Sequence, residues 1–195
     1  YLLINFARAM AGAMRALHGY HAMRTHQKLP WTDMIAELEQ GEIHPNAKRP
    51  KWHKKIVARL SERPLFVQPD QVLHAVIIAT YKEAREVLEP TIQSVINTEY
   101  DMKQVIFVLA YEERAGEATE KLAHELVKQY GHNFMHAMAV GHPRVPDEVL
   151  GKGGNVTYAG RELEKYVLKA GIDPKRVLVT TLDADNRPDK QYFNA

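Results

Sequence analysis

The chain has 195 residues, 45% of them hydrophobic and 26% charged, with no cysteine and a formal net charge of +2. A chain of this length buries roughly 70% of its unfolded surface and folds without disulfides or a structural metal. The lack of cysteine excludes a disulfide framework, a zinc finger and a thiol nucleophile. The sequence starts at Tyr1 and stops in mid-pattern at residues 191–195, so it reads as a fragment.

The charge is uneven. Residues 1–70 carry 11 Lys/Arg against 6 Asp/Glu, and the remainder 15 against 18, so an overall +2 divides into +5 and −3. Five of the ten prolines (Pro30, Pro45, Pro50, Pro64 and Pro69) also precede residue 71. This shift predicts three parts: an apolar helix over 1–27, a basic, Pro-rich connector with short helices over 28–70, and a folded unit over 71–195.

Within the first 23 residues the interruptions Asn5, Arg8, Gly12, Arg15 and Gly19 recur at spacings of 3 and 4, which puts them on one helical stripe. Two arginines inside 20 residues disqualify a complete, ordinary spanning helix. The segment fits the exit end of a spanning helix or an interfacial helix, with Arg15, Arg24 and Lys28 on the cytoplasmic side. The plain alternative is a soluble helix packed on the core. His18, His21 and His26 have no carboxylate in register and read as solvated, not as metal ligands.

In the connector, short helices are predicted over 31–39, with Thr32 or Asp33 as N-cap, and over 51–60. The run of residues 48–55 holds five cations around Trp52. It suits anionic headgroups or is a solvated face. Nucleic acid is not an expected partner, because no reading module follows.

From Val72 the texture changes to strands alternating with helices. Residues 73–79 and 104–110 are apolar runs expected as strands buried on both faces. Residues 134–140 form a weaker third strand, and 176–182 a fourth buried one. Helices are expected over 84–97, from Glu112-Glu113-Arg114 to Tyr130 with Gly131 as C-cap, and over 155–170 stopped by Gly171. Pro90 conflicts with the first of these unless that helix starts near Leu88. A loop over 141–146 precedes the last helix. Such alternation predicts an α/β fold, a Rossmann-like parallel sheet behind a helical, membrane-proximal segment.

Polar clusters fall at the carboxyl ends of these strands, where parallel sheets bind ligands. Asp183 and Asp185 share one face of an extended segment, so both carboxylates reach one hard cation, Mg²⁺ or Mn²⁺. The turn Gly151-Lys152-Gly153-Gly154-Asn155 opens a helix and suits phosphate. Its alternative is a flexible hinge. It is not a Walker A loop, and the first strand–helix turn has no glycine for a dinucleotide fingerprint.

Four segments in order, Ile78-Ala79-Thr80-Tyr81-Lys82-Glu83, Val108 to Glu113, Gly151 to Asn155 and Leu182-Asp183-Ala184-Asp185, resemble family 2 glycosyltransferases. They are most similar to the membrane-associated bacterial members. The resemblance covers residues 72–195 and implies a GT-A fold whose first half binds a nucleotide. It places Thr80, Tyr81 and Glu83 at the base and ribose, with Lys82 where Asn is usual. Glu112 or Glu113 takes the acidic position that reads the base edge, with Glu in place of the commoner Asp. Lys152, Gly153, Gly154 and Asn155 lie at the sugar diphosphate, Asp183 at the ribose and diphosphate, and Asp183 and Asp185 at the cation.

The implied activity is an inverting, metal-dependent transfer of a hexose from a nucleotide-diphosphate sugar to the hydroxyl of a glycan or lipid-linked acceptor. The implied place is the cytoplasmic membrane, with 71–195 on the cytoplasmic side. In that family the catalytic base lies well beyond the Asp-x-Asp pair, so the reading expects it downstream and takes this fragment as inactive alone. Two other readings stand beside it. One is a nucleotidyltransferase on a similar sheet, which calls for a Gly/Arg-rich loop after the first strand; the other is a non-catalytic nucleotide-binding module.

Overall fold

The computed structural model describes residues 1–144 and 151–195. In chain order its elements are α1 (Leu2–His26), α2 (Trp31–Gln40), α3 (Lys51–Arg59), β1 (Leu73–Thr80), α4 (Arg85–Ile96), β2 (Val105–Glu112), α5 (Glu117–Tyr130), β3 (His136–His142), α6 (Lys152–Lys169) and β4 (Val177–Asp183). The four strands form one all-parallel sheet in the order β3-β2-β1-β4. The fold is α/β and compatible with a Rossmann-like sheet.

The sheet builds outward from two strands whose side chains leave water on both faces. Every residue of β1 and of β2 is buried. On one face Val76, Ile78, Phe107 and Leu109 pack against Leu88, Ile92 and Val95 of α4 and Leu126 of α5. On the other, Ala75, Ile77, Ile106 and Val108 meet Ala159, Leu163 and Val167 of α6. Each such aliphatic side chain contributes about 1.5–3 kcal/mol when withdrawn from water. A right-handed crossover explains the division: α4 and α5 link strands stepping one way, and α6 returns past β1 to β4 on the opposite face.

Several expectations need correction. The strand over 176–182 is not buried on both faces. β4 is an edge, with Leu178 56% and Val179 55% exposed, because the helices cover the central strands. Pro90 lies inside α4, which starts at Arg85, so the first-turn escape does not apply and the carbonyl of Glu86 loses its helical donor. The cap of α2 is Pro30, not Thr32 or Asp33; Asp33 sits in the first turn, where its charge suits the helix dipole. Gly131 follows α5 as expected but in right-handed geometry. A Cβ there would sit 3.0 Å from that of Ala137, so close approach, not a left-handed turn, calls for glycine. β3 starts two residues later than expected, at His136; Phe134 precedes it and stacks on Phe107 with ring centroids 4.9 Å apart. Gly171, at φ +70°, ends α6 as read.

The N-terminal helix does not pack on the core: none of the 25 residues of α1 is buried, which removes the plain alternative for it. Among the described residues no helix is long and apolar enough to cross a membrane. The connector is more ordered than a solvated linker. Glu37 of α2 is buried against Arg49, with Nε 2.9 Å from both carboxylate oxygens, and against Nε2 of the buried His53 on α3 at 2.8 Å.

Candidate functional site

Strand order reverses between β1 and β4: the chain steps from β1 to β2 to β3, then returns to the other side of β1. At such a switch point the loops leave in opposite directions and open a crevice at the carboxyl ends of the strands. A cavity of about 330 Å³ lies there. Thr80, Tyr81, Glu83, Glu112, Lys152, Asn155, Asp183 and Asp185 all line it, so members of all four sequence clusters converge there. Residues 145 to 150, with the end of the expected 141–146 loop, lie outside the described residues.

Glu83 organises the β1 exit. Its Oε2 accepts from the Thr80 hydroxyl at 2.7 Å and from the backbone N–H of Tyr81 and Lys82 at 2.6 and 3.2 Å. Burial pushes its pKa up, but these donors outweigh burial and hold it below the ordinary carboxylate range. One oxygen of Glu83 therefore serves the loop itself, which fixes the direction in which Tyr81 leaves the sheet.

At the end of β2 the two acidic candidates separate. Glu112 is buried and lines the cavity; Glu113 is exposed on the following turn and does not. Glu112 accepts a charge-assisted hydrogen bond from Nε of Arg114, whose guanidinium carbon lies 4.5 Å from the centroid of the Tyr81 ring. Lys82 Nζ is 5.2 Å from the same centroid. The sequence reading assigned Arg114 nothing, although its place two residues after Glu112 is the signal that could have paired them.

α6 begins at Lys152, three residues before the expected start, so Gly153, Gly154 and Asn155 form its first turn. Gly151 caps it at φ +152°, a conformation that favours glycine, and supplies no side-chain cap. That turn carries no acidic residue of its own against the positive end of the helix. Gly153 and Gly154 do not line the cavity, and a Cβ on Gly153 would meet nothing within 4 Å. Asn155 is 2% exposed, and its Nδ2 donates to the carbonyls of Ala110 at 3.1 Å and Thr80 at 3.3 Å. It thereby ties α6 to the ends of β1 and β2, while its buried Oδ1 has no partner among the described residues. An orphaned acceptor of this kind costs about 1–3 kcal/mol until something donates to it.

Asp183 and Asp185 alternate with the buried Leu182 and Ala184, so both carboxylates are exposed on the cavity side. The buried Thr91 of α4 donates from Oγ1 to the carbonyl of Ala184 at 2.6 Å, which holds the segment between them. Lys152 Nζ forms an ion pair with Asp183 Oδ1 across the mouth. Among the described residues no three His, Asp or Glu side chains converge as a metal site. Two exposed carboxylates nevertheless suit a hard cation completed by phosphate and water oxygens. Three residues not assigned to the site from the sequence also line the cavity: Ala79, Val87 of α4 and Ala184.

Among the described residues the lining carries four carboxylates (Glu83, Glu112, Asp183 and Asp185) and one cation, Lys152. Glu83, Glu112 and Asp183 each already have a neighbour within the protein, in the β1 exit loop, Arg114 and Lys152 respectively. No protein-family model matches the chain, and no curated protein matches it in sequence.

Proposed function

We propose that this cavity binds a nucleotide-diphosphate sugar together with Mg²⁺ or Mn²⁺, and that the chain is the donor-binding part of an inverting family 2 glycosyltransferase with a GT-A fold. The observation that carries the proposal is the charge at the switch-point cavity. A diphosphate beside Asp183 and Asp185 meets like charge with one lysine against it among the described lining residues, whereas a divalent cation on that pair turns repulsion into attraction.

The residues divide the work by chemistry. Asp183 and Asp185 hold the cation, which when bound neutralises charge growing on the leaving diphosphate. Lys152 leaves its ion pair with Asp183 and meets a phosphate oxygen, and the free N–H groups opening α6 meet another. Asn155 Oδ1, the orphaned acceptor, takes a hydrogen bond from a donor-substrate hydroxyl. Tyr81 and Glu112, at the ends of β1 and β2, provide a ring and an acceptor for the base. The acceptor hydroxyl still needs a general base, and none is assigned among these residues.

Calorimetry with UDP and GDP, with and without Mn²⁺, tests the reading. One of the two binds when Mn²⁺ is present, and Asp185→Ala weakens that binding at least about tenfold, or 1.4 kcal/mol, with an unchanged far-UV spectrum because Asp185 is exposed. If neither nucleotide binds with metal present, or if Asp185→Ala binds as tightly as the parent, the donor site is wrong.

A further inference from the structure

Arg114 touches two walls of the switch-point cavity without lining the cavity itself. It stands on the exposed turn that follows β2, with its side chain 30% exposed. Its Nε donates to Oε2 of Glu112, whose side chain is only 6% exposed. Its guanidinium lies over the Tyr81 ring, with the central carbon 4.5 Å from the centroid. Tyr81 leaves β1 and Glu112 ends β2, so one side chain fixes the ring relative to the carboxylate.

This arrangement divides the two oxygens of Glu112. Oε2 is given to Arg114, whereas Oε1 accepts no hydrogen bond from the described residues and belongs to a side chain that lines the cavity. A carboxylate with both oxygens free accepts from two adjacent donors; with one engaged it offers a single acceptor. The edges of the bases differ in that respect. Uracil presents one N–H, at N3, between two carbonyls. Guanine presents N1–H and its 2-amino group side by side. A 2-amino group facing an oxygen already given to Arg114 is left without a partner, which costs binding.

We propose that Arg114 is a positioning residue that sets the choice of base, given the nucleotide-diphosphate reading of the cavity on which this rests. By occupying Oε2 and holding the Tyr81 ring, it presents Glu112 as a single acceptor. That suits the imide edge of uracil and disfavours the paired donors of guanine. Arg114 works through Glu112 and Tyr81 and does not itself touch the nucleotide. A purely structural ion pair would steady the turn and affect every base alike.

Three diphosphates read the Glu112 edge by calorimetry on the full chain with Mn²⁺: UDP, GDP and IDP, the last being GDP without its 2-amino group. The parent binds UDP at least about tenfold tighter than GDP, and GDP no tighter than IDP. The second comparison holds base size constant and needs no variant. Arg114→Met keeps the side-chain stem and removes the donor, so Oε2 is freed. GDP then gains about fivefold or more over IDP, and the advantage of UDP over GDP shrinks to match. Arg114→Gln sets an amide nitrogen where Nε stood and retains the parent's order of the three. Far-UV spectra stay unchanged, because Arg114 is exposed on a turn. A parent that binds GDP tighter than IDP or UDP, or Arg114→Met with the parent's ratios, overturns the inference and leaves the nucleotide site standing. So does equal loss of selectivity in both variants, which puts the effect in the guanidinium charge instead of the Nε donor. Binding of none of the three with Mn²⁺ removes the nucleotide reading itself, and base selection with it.

Discussion

All eight residues of β1 and all eight of β2 are buried, whereas α1 buries none of its 25. Both regions draw on Leu, Ile and Ala, to which α1 adds Met and the strands add Val, so hydropathy alone does not separate them. The difference lies in what each can meet within the chain. β1 has a partner strand on both sides and helices on both faces, so each apolar side chain has somewhere to go. α1 has its single stripe of Asn, Gly and Arg, and among the described residues none of its side chains is buried against another helix or the sheet. Its apolar content is therefore surface, and its contribution to folding in water is small.

The same substitution in both regions gives the largest expected contrast. Phe107 of β2 is fully buried and stacked on Phe134, so Phe107→Ala removes contacts on both faces of the ring and leaves a cavity, costing about 3–5 kcal/mol. Phe6→Ala on α1, where the ring is 64% exposed, changes stability by no more than about 0.5 kcal/mol in lipid-free buffer. Urea denaturation of the two variants measures both numbers. A cost above about 2 kcal/mol for Phe6→Ala would mean that α1 packs somewhere in solution, and the comparison would collapse.

Between these extremes stands the connector, which composition presented as a basic linker. Its order comes from a charged cluster as well as from the buried Met34 and Val57: Arg49 bridges Glu37 and Asp33, and His53 closes on Glu37. Glu37→Gln leaves the nearly buried Arg49 with only Asp33, at 3.4 Å, as a carboxylate partner. Breaking a buried pair on one side costs on the order of 3 kcal/mol. The loss is expected to be local, with faster amide exchange in α2 and α3 and unchanged protection in β1 and β2. Equal loss of protection throughout the sheet would show that connector and sheet unfold as one unit.

Sequence patterning reached the central strands because burial on both faces writes an unbroken apolar run, as in residues 73–79. It reached the strand-end clusters because a parallel sheet must gather them at one edge. It could not distinguish β4 from a central strand. Val177 to Leu182 is as β-branched as β1, and edge position depends on which strand the chain returns beside. Nor could it find Glu37–Arg49–His53, whose members are 12 and 16 residues apart and meet only when α2 and α3 pack. The start of α6 was hidden by Gly153 and Gly154, poor helix formers that tertiary context nevertheless places in its first turn. At the site, chain order alone could not choose between Glu112 and Glu113; the end of β2 at Glu112, with Glu113 on the exposed turn beyond it, does.

The smallest effect separates two carboxylates that are both held below their ordinary range, one in each region. For Glu37, burial pushes the pKa up, and the Arg49 and His53 side chains more than reverse it. For Glu83, burial pushes up and the Thr80 hydroxyl and neighbouring backbone N–H groups reverse it without any formal cation. A carboxylate whose folded pKa is depressed adds stability that is fully present above its unfolded pKa, about 4.3, and is lost as pH falls through the folded value. Both regions should therefore weaken only on the acid side, below the ordinary glutamate range. The origins differ, so the variants should differ. Arg49→Gln raises the Glu37 midpoint and leaves Glu83 alone, whereas Thr80→Val raises the Glu83 midpoint and leaves Glu37 alone. Carboxyl-carbon NMR titration of the two side chains, with the Tyr81 amide as a second probe of Glu83, resolves them. A Glu83 midpoint at or above the ordinary value would mean that Oε2 does not hold the β1 exit, and the cavity wall at Tyr81 would lose its physical basis.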